Sequence, residues 1–330
     1  MTVTIGRRDL LVALGGAAAA WPLAARAQQA ERIHTIGYLN AGAFDPISPV
    51  LTSFLNALPE LGWIEGKNVV IEYRFAENRL ERLPEFAAEL VRLKVDVIVG
   101  IGTLAPLAAK RATTTIPIVM TAAGDPLGSG LVASLARPGG NVTGLSTQTK
   151  DTASKRLEIL REVIPGFRRF AVLGNAGYAG SVEEMREVSA AAQALGLEVD
   201  TLEMRRAEDI AAAFEQLNSG AQALYVCTDA LANANRHRIN ILALGARLPT
   251  MLGLREYVDP AGLMSYGPHI PDLFRRTAEL VDKILRGARP GALPVEQPTK
   301  FEFVINLTVA KALSLKLPEA LLLRADELIE

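Results

Sequence analysis

Short apolar runs rich in β-branched residues alternate with amphipathic stretches along most of this 330-residue chain. The alternation predicts parallel strands joined by helices, because a strand covered by helices on both faces is apolar throughout. In the first half the pattern predicts strands at 33–40, 68–73, 95–100, 116–121 and 141–145. Between them it predicts helices at 48–61, 82–93 and 104–113.

The same alternation restarts in the second half. Predicted helices at 152–163, 181–195, 207–217 and 230–245 alternate with predicted strands at 170–173, 197–202, 223–227 and 250–252. A series of strands and helices that repeats in this way is typical of two successive α/β units, each with its own parallel sheet. The sequence therefore predicts two lobes of similar construction.

The end of the chain departs from this repeat. A strand at 262–266, a helix at 272–285, a linker rich in proline and glycine at 289–294 and a strand at 301–305 precede a closing helix. The added strand and helix indicate that the chain crosses back to the first lobe and then returns. The crossings are expected near 145–147, 259–263 and 289–294. Lobe 1 is then 28–146 with 262–290, and lobe 2 is 147–261 with 291–330.

The expected architecture is α/β, with two doubly wound parallel-sheet lobes joined by a three-strand hinge. Open α/β sheets bind ligands outside the carboxyl ends of their strands, so two lobes face to face form one cleft. Closure of such a cleft about a hinge is a common switching movement, often compared with a Venus flytrap.

The N-terminus carries the pattern of an export signal. Arg7 and Arg8 precede an apolar run at 10–23, which ends at the small-residue site Ala25-Arg26-Ala27. This arrangement predicts a signal peptide at 1–27 that is cleaved near Ala27, and the paired arginines favour the twin-arginine route. A membrane anchor is the alternative, but the run is shorter than the roughly 20 residues that span a bilayer. We expect a periplasmic protein without a lipid anchor.

Composition excludes several classes of function. A formal net charge of −1 gives no attraction for nucleic acid or for an anionic membrane. Cys227 is the only cysteine, and the three histidines are scattered without metal-ligand spacing. No nucleophile elbow, P-loop or dinucleotide-binding glycine motif is present. The expectation is a protein that is not an enzyme, with no cofactor and no metal.

Several motifs resemble those of the ABC-transporter substrate-binding protein family whose studied members bind tryptophan or phenylalanine. The matching segments are 82–83, 88–92, 95–99, 109–113, 116–119, 124–126, 130–144, 155–158 and 297–302. The resemblance covers the chain after the signal and implies the type I periplasmic-binding-protein fold, a small-molecule ligand and ABC permease subunits as partners. The chain departs from the family at Asn175-Ala176, where the family has Asn-Pro, and at 76–78, which lacks a glycine. Both departures concern the identity of the ligand.

The loop after the third predicted strand is a candidate carboxylate site. Gly102 and Thr103 precede a helix that begins with Leu104 and Ala105. The free N–H groups and the positive dipole end of a helix N-terminus suit an anion. The alternative is that Thr103 only caps its helix, which stabilises the protein by about 1 kcal/mol.

Other candidate ligand contacts in the first lobe follow the first, fourth and fifth strands. They are Asn40, Thr121, Asp125, Ser146 and Thr147. An asparagine amide can bind either end of a zwitterion and an aspartate can bind its ammonium group. Asn40 and Asp125 have an alternative role as turn-forming residues.

In the second lobe the candidates are Asn175, Tyr178, Thr228, Asp229 and Tyr266. Asp229 is the preferred partner for a ligand amine, and its alternative role is to cap the helix that follows. Tyr178 or Tyr266 is expected to cover the ligand side chain with its aromatic face.

Together these features predict an extracytoplasmic solute receptor, monomeric, that delivers an amino acid or related carboxylate to an ABC importer. A sensory receptor for a membrane signalling partner is one alternative, and neighbouring permease and ATPase genes would favour uptake over it. An exported α/β enzyme is the other alternative, but it would need a catalytic set of residues that the sequence lacks.

Overall fold

The structure is a computed structural model that describes residues 32–147, 152–217, 220–259 and 261–330. The predicted signal peptide lies outside the described residues. Within them, no helix is long and apolar enough to cross a membrane.

The first lobe is a five-stranded parallel sheet with helices on both faces. Its strands are β1 (His34–Asn40), β2 (Val69–Phe75), β3 (Val97–Ile101), β4 (Ile118–Ala123) and β5 (Val142–Ser146), in the order β2-β1-β3-β4-β5. The helices between them are α1 (Pro49–Glu60), α2 (Leu83–Arg92) and α3 (Leu104–Ala112), with a 3₁₀ turn at Leu80–Arg82.

The second lobe is a seven-stranded sheet in the order β12-β11-β10-β9-β8-β6-β7. Its strands are β6 (Arg169–Asn175), β7 (Glu198–Met204), β8 (Leu224–Val226), β9 (Thr250–Leu252), β10 (Met264–Pro268), β11 (Phe301–Asn306) and β12 (Glu327–Ile329). Only the β10–β11 pair is antiparallel among these described strands.

Eight further helices belong to the described part of the second half. They are α4 (Ala153–Val163), α5 (Ala179–Ala194), α6 (Asp209–Glu215), α7 (Ala230–Ala234), α8 (Arg236–Gly245), α9 (Ile270–Leu285), α10 (Leu307–Ala312) and α11 (Glu319–Leu322). Short 3₁₀ turns occur at Arg255–Tyr257 and Pro290–Ala292.

The two sheets share one strand order. The series β7-β6-β8-β9-β10 in the second lobe repeats the series β2-β1-β3-β4-β5 in the first. In the first sheet β2 lies on one side of β1 and β3 on the other, so the order in which strands are added reverses between β1 and β3, and in the second sheet it reverses between β6 and β8. These are the topological switch points, where doubly wound sheets leave a crevice at their carboxyl edge. The expected pair of doubly wound lobes is confirmed, and each lobe brings one crevice.

Alternating side chains of the central strands reach opposite apolar layers. Val97 and Val99 of β3 pack in the cluster that contains α1 and α9, whereas Ile98 packs in the cluster that contains α2 and α3. Both faces of β3 are therefore buried against helices. A side chain on either face must then be apolar, which is why the sequence of β3 is an unbroken apolar run.

The last crossings differ from the predicted ones. β10 pairs with β9, so residues 264–268 belong to the second sheet and not to lobe 1. The chain crosses at His269, after which α9 buries Phe274 and Val281 in the core of the first lobe. It stays there beyond the predicted boundary at 291, because Glu296 bridges to Leu145 of β5. The return crossing is therefore at 297–300.

Two predicted helices are each divided in the structure. The helix predicted at 230–245 is two helices, because Asn235 leaves the helical conformation between α7 and α8. The closing helix is likewise two short helices, with Pro318 preceding the second, and it is followed by the unpredicted edge strand β12. A proline lacks the N–H that would continue a helix, so the first of these helices cannot run through it.

Candidate functional site

The walls of the cleft meet at Thr103 and Tyr178. Thr103 precedes α3 at the carboxyl end of β3 in the first lobe, and Tyr178 precedes α5 just beyond β6 in the second. The Tyr178 hydroxyl donates a hydrogen bond of 2.9 Å to Thr103 Oγ1. The two switch points therefore face each other across a narrow gap.

The Thr103 side chain does not cap its own helix. Its Oγ1 makes no bond to the first turn of α3, and instead accepts from Tyr178 and from the backbone N–H of Gly124 at 3.3 Å. Gly102 before it has a φ of +71°, a conformation that glycine adopts at little cost. The alternative in which Thr103 serves only as a cap is thus wrong. The first N–H groups of α3 keep the orientation that suits an anion.

Asn40 and Asn175 form matching turns at the two switch points. Asn40 Oδ1 accepts a hydrogen bond from the N–H of Gly42 at 2.8 Å, and Asn175 Oδ1 accepts from the N–H of Gly177 at 2.9 Å. Each is the last residue of the first strand of its lobe and begins an identical Asn-Ala-Gly sequence. The turn-forming role is therefore present, and it leaves the amide N–H₂ groups for other partners.

An aromatic pocket adjoins Asn40 in the first lobe. It has a volume of about 160 Å³ and lies at the carboxyl ends of β1, β2 and β3. Its lining residues are Tyr38, Asn40, Ala43, Asp45, Ser48, Val50, Leu51, Phe75, Ile101 and Phe274. An engineered apolar cavity of roughly 150 Å³ in another protein holds a benzene molecule. The pocket thus has room for one aromatic ring.

Asp229 both caps a helix and carries an unpaired oxygen. Its Oδ1 accepts from the N–H of Ala232 at 2.7 Å, at the start of α7. Its Oδ2 is buried and has no hydrogen-bond partner within the protein. Burial raises the pKa of the Asp229 carboxyl from 3.8 to about 6, and its helix N–H bonds oppose that shift. A buried acceptor without a donor is costly, so this oxygen is suited to a ligand donor.

Thr228 adds a second side-chain oxygen without a hydrogen bond beside Asp229. Its Oγ1 is also buried without a partner, while its backbone N–H donates to Glu184 Oε2 at 2.8 Å. Thr228 and Asp229 follow β8, at the switch point of the second lobe. Two neighbouring side chains at one sheet edge thus each carry one buried oxygen, Thr228 Oγ1 and Asp229 Oδ2, without a hydrogen-bond partner within the protein.

A buried ionic cluster beneath this edge was not among the predicted residues. Arg156 Nη1 lies 2.9 Å from Glu184 Oε1 and donates to the Tyr225 hydroxyl at 2.6 Å. Burial raises the pKa of Glu184, and the charge of Arg156 opposes that shift. Arg156 lies within the segment 155–158, which resembles the family, and this resemblance could have drawn attention to it in the sequence. Glu184 follows another glutamate in a helix and resembles a solvent-facing residue in sequence.

The side chains of two predicted contact residues pack against other side chains of the protein. The Thr121 hydroxyl is buried in the core of the first lobe, 2.9 Å from Thr277 Oγ1 on α9. The ring of Tyr266 stacks on Phe301 with centroids 5.9 Å apart and packs against the core of the second lobe. Thr121 therefore supports α9 instead of the cleft, and the expectation that Tyr266 covers the ligand stays a prediction.

The remaining first-lobe candidates shape the loops around the crossing. Asp125 Oδ1 accepts from the N–H of Gly128 at 2.9 Å, which is its expected turn. Ser146 and Thr147 are buried, and their N–H groups bond to the carbonyls of Glu296 and Ala123 at 3.0 and 2.9 Å. Ser146 thus joins β5 to the crossing segment, and Thr147 joins the chain after β5 to the end of β4. Leu104 and Ala105 begin α3, with Ala105 fully buried.

A metal site and a reactive thiol are two further kinds of site to consider in the described part of the chain. No group of three or more His, Cys, Asp or Glu side chains there could hold a metal ion. Burial raises the pKa of Cys227 well above its ordinary value, so this thiol stays protonated and unreactive.

Comparison with known proteins adds an independent result. A family model described as ABC transporter substrate binding protein matches residues 45–329. The chain belongs to this family. Such a protein captures a small molecule outside the cytoplasm and delivers it to an ABC importer. The family consists of receptors and not of enzymes.

One relative is a tyrosine-binding protein of Clostridioides difficile (strain R20291). It is 29% identical over 263 residues, which cover 80% of this chain and 76% of the relative. A conserved domain protein of Vibrio cholerae O1 is structurally similar, with 28% identity and a TM-score of 0.83 over 90% of this chain and all of the other.

Two further similar structures differ in whether a ligand is bound. A domain from Streptococcus pneumoniae in complex with L-Trp has a TM-score of 0.84 at 26% identity, over 90% of this chain and all of its own. A ligand-free, open substrate-binding protein from Clostridium difficile has a TM-score of 0.71 at the same identity, over 90% and 99%.

Proposed function

We propose that this receptor binds an aromatic amino acid between its lobes. The observation that carries the proposal is the buried, unpartnered Asp229 Oδ2, beside the equally unpartnered Thr228 Oγ1. A ligand ammonium group would supply the donors that these oxygens lack, and such charge-assisted hydrogen bonds are worth roughly 1.5–3 kcal/mol each.

The carboxylate of the ligand is assigned to the opposite wall. Thr103, Leu104 and Ala105 present backbone N–H groups and the positive end of a helix dipole, whereas the N–H of Gly102 already donates to the carbonyl of Thr121 at 2.8 Å. The pairing of Thr103 with Tyr178 brings this wall to the second lobe. A zwitterion can therefore be held at its two ends by the two lobes, which favours the closed state.

The side chain of the ligand is assigned to the first-lobe pocket between Tyr38, Phe75 and Phe274. The pocket volume of about 160 Å³ fits an aromatic ring, and the polar lining residues Asn40 and Ser48 can accept from a ring N–H or O–H. The names of the relatives support this assignment, since one is a tyrosine-binding protein and another was solved with L-Trp.

We extend the proposal to the location and the partners. Arg7, Arg8 and the site at Ala27 support export by the twin-arginine route and cleavage that releases a periplasmic protein. The family supports docking of the loaded, monomeric receptor on the permease subunits of an ABC importer.

The test is isothermal titration of the exported protein with L-tryptophan, L-tyrosine, L-phenylalanine, L-alanine and D-ribose. At least one aromatic amino acid should bind with micromolar or better affinity, and its deaminated analogue should bind about tenfold to a hundredfold more weakly. Heat from ribose alone, or equal affinity for the deaminated analogue, would contradict the proposal.

A further inference from the structure

Arg156, Glu184 and Tyr225 form a charged cluster that is shut off from water. Arg156 and Tyr225 are fully buried, and Glu184 is 1% exposed. Arg156 bonds to Glu184 and to Tyr225, and the Tyr225 hydroxyl lies 3.0 Å from Glu184 Oε1. The three side chains come from α4, α5 and β8, so the cluster joins three elements of the second lobe.

The remaining bonds of the cluster all go to backbone groups at one edge of the sheet. Glu184 Oε2 accepts from the N–H of Thr228, just after β8. Arg156 Nη2 donates to the carbonyl of Gly253, just after β9, at 3.2 Å. Arg156 Nε donates to the carbonyl of Tyr266, near the end of β10, at 2.7 Å. The carboxyl ends of three adjacent strands are thus held by one ion pair.

Thr228 is held from two sides by this arrangement. Its N–H is bonded to Glu184, and its Oγ1 lies directly against the Cα of Gly253, where a Cβ would have no room. Gly253 in turn is bonded to Arg156. The position of the Thr228–Asp229 edge therefore depends on both charged residues.

Stability alone is a weak reason to bury this pair. Removing two charges from water carries a large desolvation penalty, and proteins in which apolar residues replace a buried pair are often as stable or more so. What an ion pair supplies and an apolar cluster does not is a set of directional bonds. Here those bonds end on the ligand edge and on the strand that leads to the first lobe.

We propose that Arg156, Glu184 and Tyr225 are positioning residues for ligand recognition, which hold the Thr228–Asp229 edge where it meets the ligand ammonium group. The cluster also ties this edge to β10, whose chain passes at His269 into α9 of the first lobe. The inference rests on the proposed function in that the ammonium group is the feature recognised.

The test compares two ligands that differ only in the ammonium group. Affinities for L-tyrosine and for 3-(4-hydroxyphenyl)propionate are measured on the exported protein and on the variants Arg156→Lys and Tyr225→Phe. Each variant should lose affinity for L-tyrosine, by about tenfold for Arg156→Lys, while affinity for the propionate stays within twofold. Arg169→Lys is the matched control, because its ion pair with Glu198 lies at the opposite, amino edge of the sheet.

Comparison of the two ligands distinguishes a role in positioning the Thr228–Asp229 edge from a general contribution to the stability of the lobe. A parallel loss for both ligands, or none for either in folded variants, would overturn the inference. If the parent protein binds neither ligand, the proposed function fails, and the inference is then decided by hydrogen exchange without ligand. The segment 227–233 should exchange faster in Tyr225→Phe than in the parent and in Arg169→Lys, and unchanged exchange there would refute positioning. Tyr225→Phe removes one hydroxyl only, so it serves if Arg156→Lys does not fold.

Discussion

The hydroxyl of Tyr178 in the second lobe lies 2.9 Å from Thr103 Oγ1 in the first lobe. Burial raises the pKa of the Tyr178 phenol, and the charges of Asp229 and Asp125 raise it further, while the bond to Thr103 opposes these effects. The phenol is thus a neutral donor that stands between carboxylates of both lobes. Its single hydrogen bond links the two walls of the ligand site.

The first prediction concerns this link. Tyr178→Phe and Thr103→Val should each shift the ligand-free receptor toward the open state, because each removes a cross-cleft hydrogen bond worth about 1 kcal/mol. The radius of gyration from small-angle scattering should increase in both variants. The double variant should increase it no further than either single one, since both substitutions delete the same cross-cleft bond and the Gly124 bond that Thr103→Val also removes lies within the first lobe.

Tyr266→Phe is the matched control for this experiment, because the Tyr266 ring stacks on Phe301 away from the Thr103 contact. It should leave the radius of gyration unchanged. Parent-like scattering from Tyr178→Phe would show that the hydrogen bond does not hold the cleft closed.

The second prediction concerns the pH dependence of binding. The Asp229 carboxyl has a pKa of about 6 in the free receptor and must be ionised to hold an ammonium group. Affinity for an amino acid should therefore be constant above pH 6 and fall by about tenfold per pH unit below it. Asp229→Asn should bind about tenfold to a hundredfold more weakly at pH 7.5 and lose this dependence. Calorimetry between pH 4.5 and 8 measures both effects, and parallel pH profiles for parent and variant would contradict the assignment.

The third prediction concerns stability without ligand. The pKa of Asp229 is higher in the folded than in the unfolded chain, so the folded state binds its proton more tightly. The resulting penalty is absent below about pH 4, grows between pH 4 and 6, and is complete above pH 6. Asparagine caps a helix about as well as aspartate. Asp229→Asn should thus be more stable than the parent at pH 7.5, by about 1–3 kcal/mol at 1.36 kcal/mol per pKa unit.

Chemical denaturation at pH 4 and at pH 7.5 checks this stability difference. The two proteins should unfold at the same denaturant concentration at pH 4 and differ at pH 7.5. A variant that is less stable than the parent at pH 7.5 would mean that Asp229 Oδ2 has a protein partner in solution.

The fourth prediction concerns the aromatic pocket. Val50 lines the pocket from α1, so Val50→Phe should fill part of its volume of about 160 Å³. Affinity for L-tyrosine and L-tryptophan should fall by tenfold or more, because an overpacked site costs roughly 1–3 kcal/mol. Val70→Phe, on the exposed face of β2, makes the same substitution outside the pocket and should bind like the parent. Equal affinity in Val50→Phe and Val70→Phe would place the ligand side chain elsewhere.

The fifth prediction concerns export. Mass spectrometry of the periplasmic protein should find Gln28 at its N-terminus, because Ala25-Arg26-Ala27 forms the small-residue cleavage site. Replacing Arg7 and Arg8 together by lysine should abolish export by the twin-arginine route. Unimpaired export of this variant would indicate the general secretory route, and an intact Met1 would contradict cleavage.

The sequence by itself determined the architecture, because strands and helices in a doubly wound sheet follow from local periodicity. The predicted strand at 95–100 is fully apolar after Asp96, which is typical of a strand covered on both faces, and β3 at Val97–Ile101 is that strand. The candidates Thr103, Tyr178, Thr228 and Asp229 followed from the same logic, since residues that follow parallel strands meet at one sheet edge.

The tertiary structure alone decided which of these side chains have partners. Thr121 turns into the core because α9, contributed by residues about 150 positions later, packs on its face of β4. The pairing of Arg156 with Glu184, and of Thr103 with Tyr178, likewise joins positions distant in the chain. Local periodicity carries no information about such contacts, because they depend on how the two sheets and their crossing segments pack in space. For the same reason, the point where the chain crosses between lobes was set by strand pairing of β10 and not by its own residues.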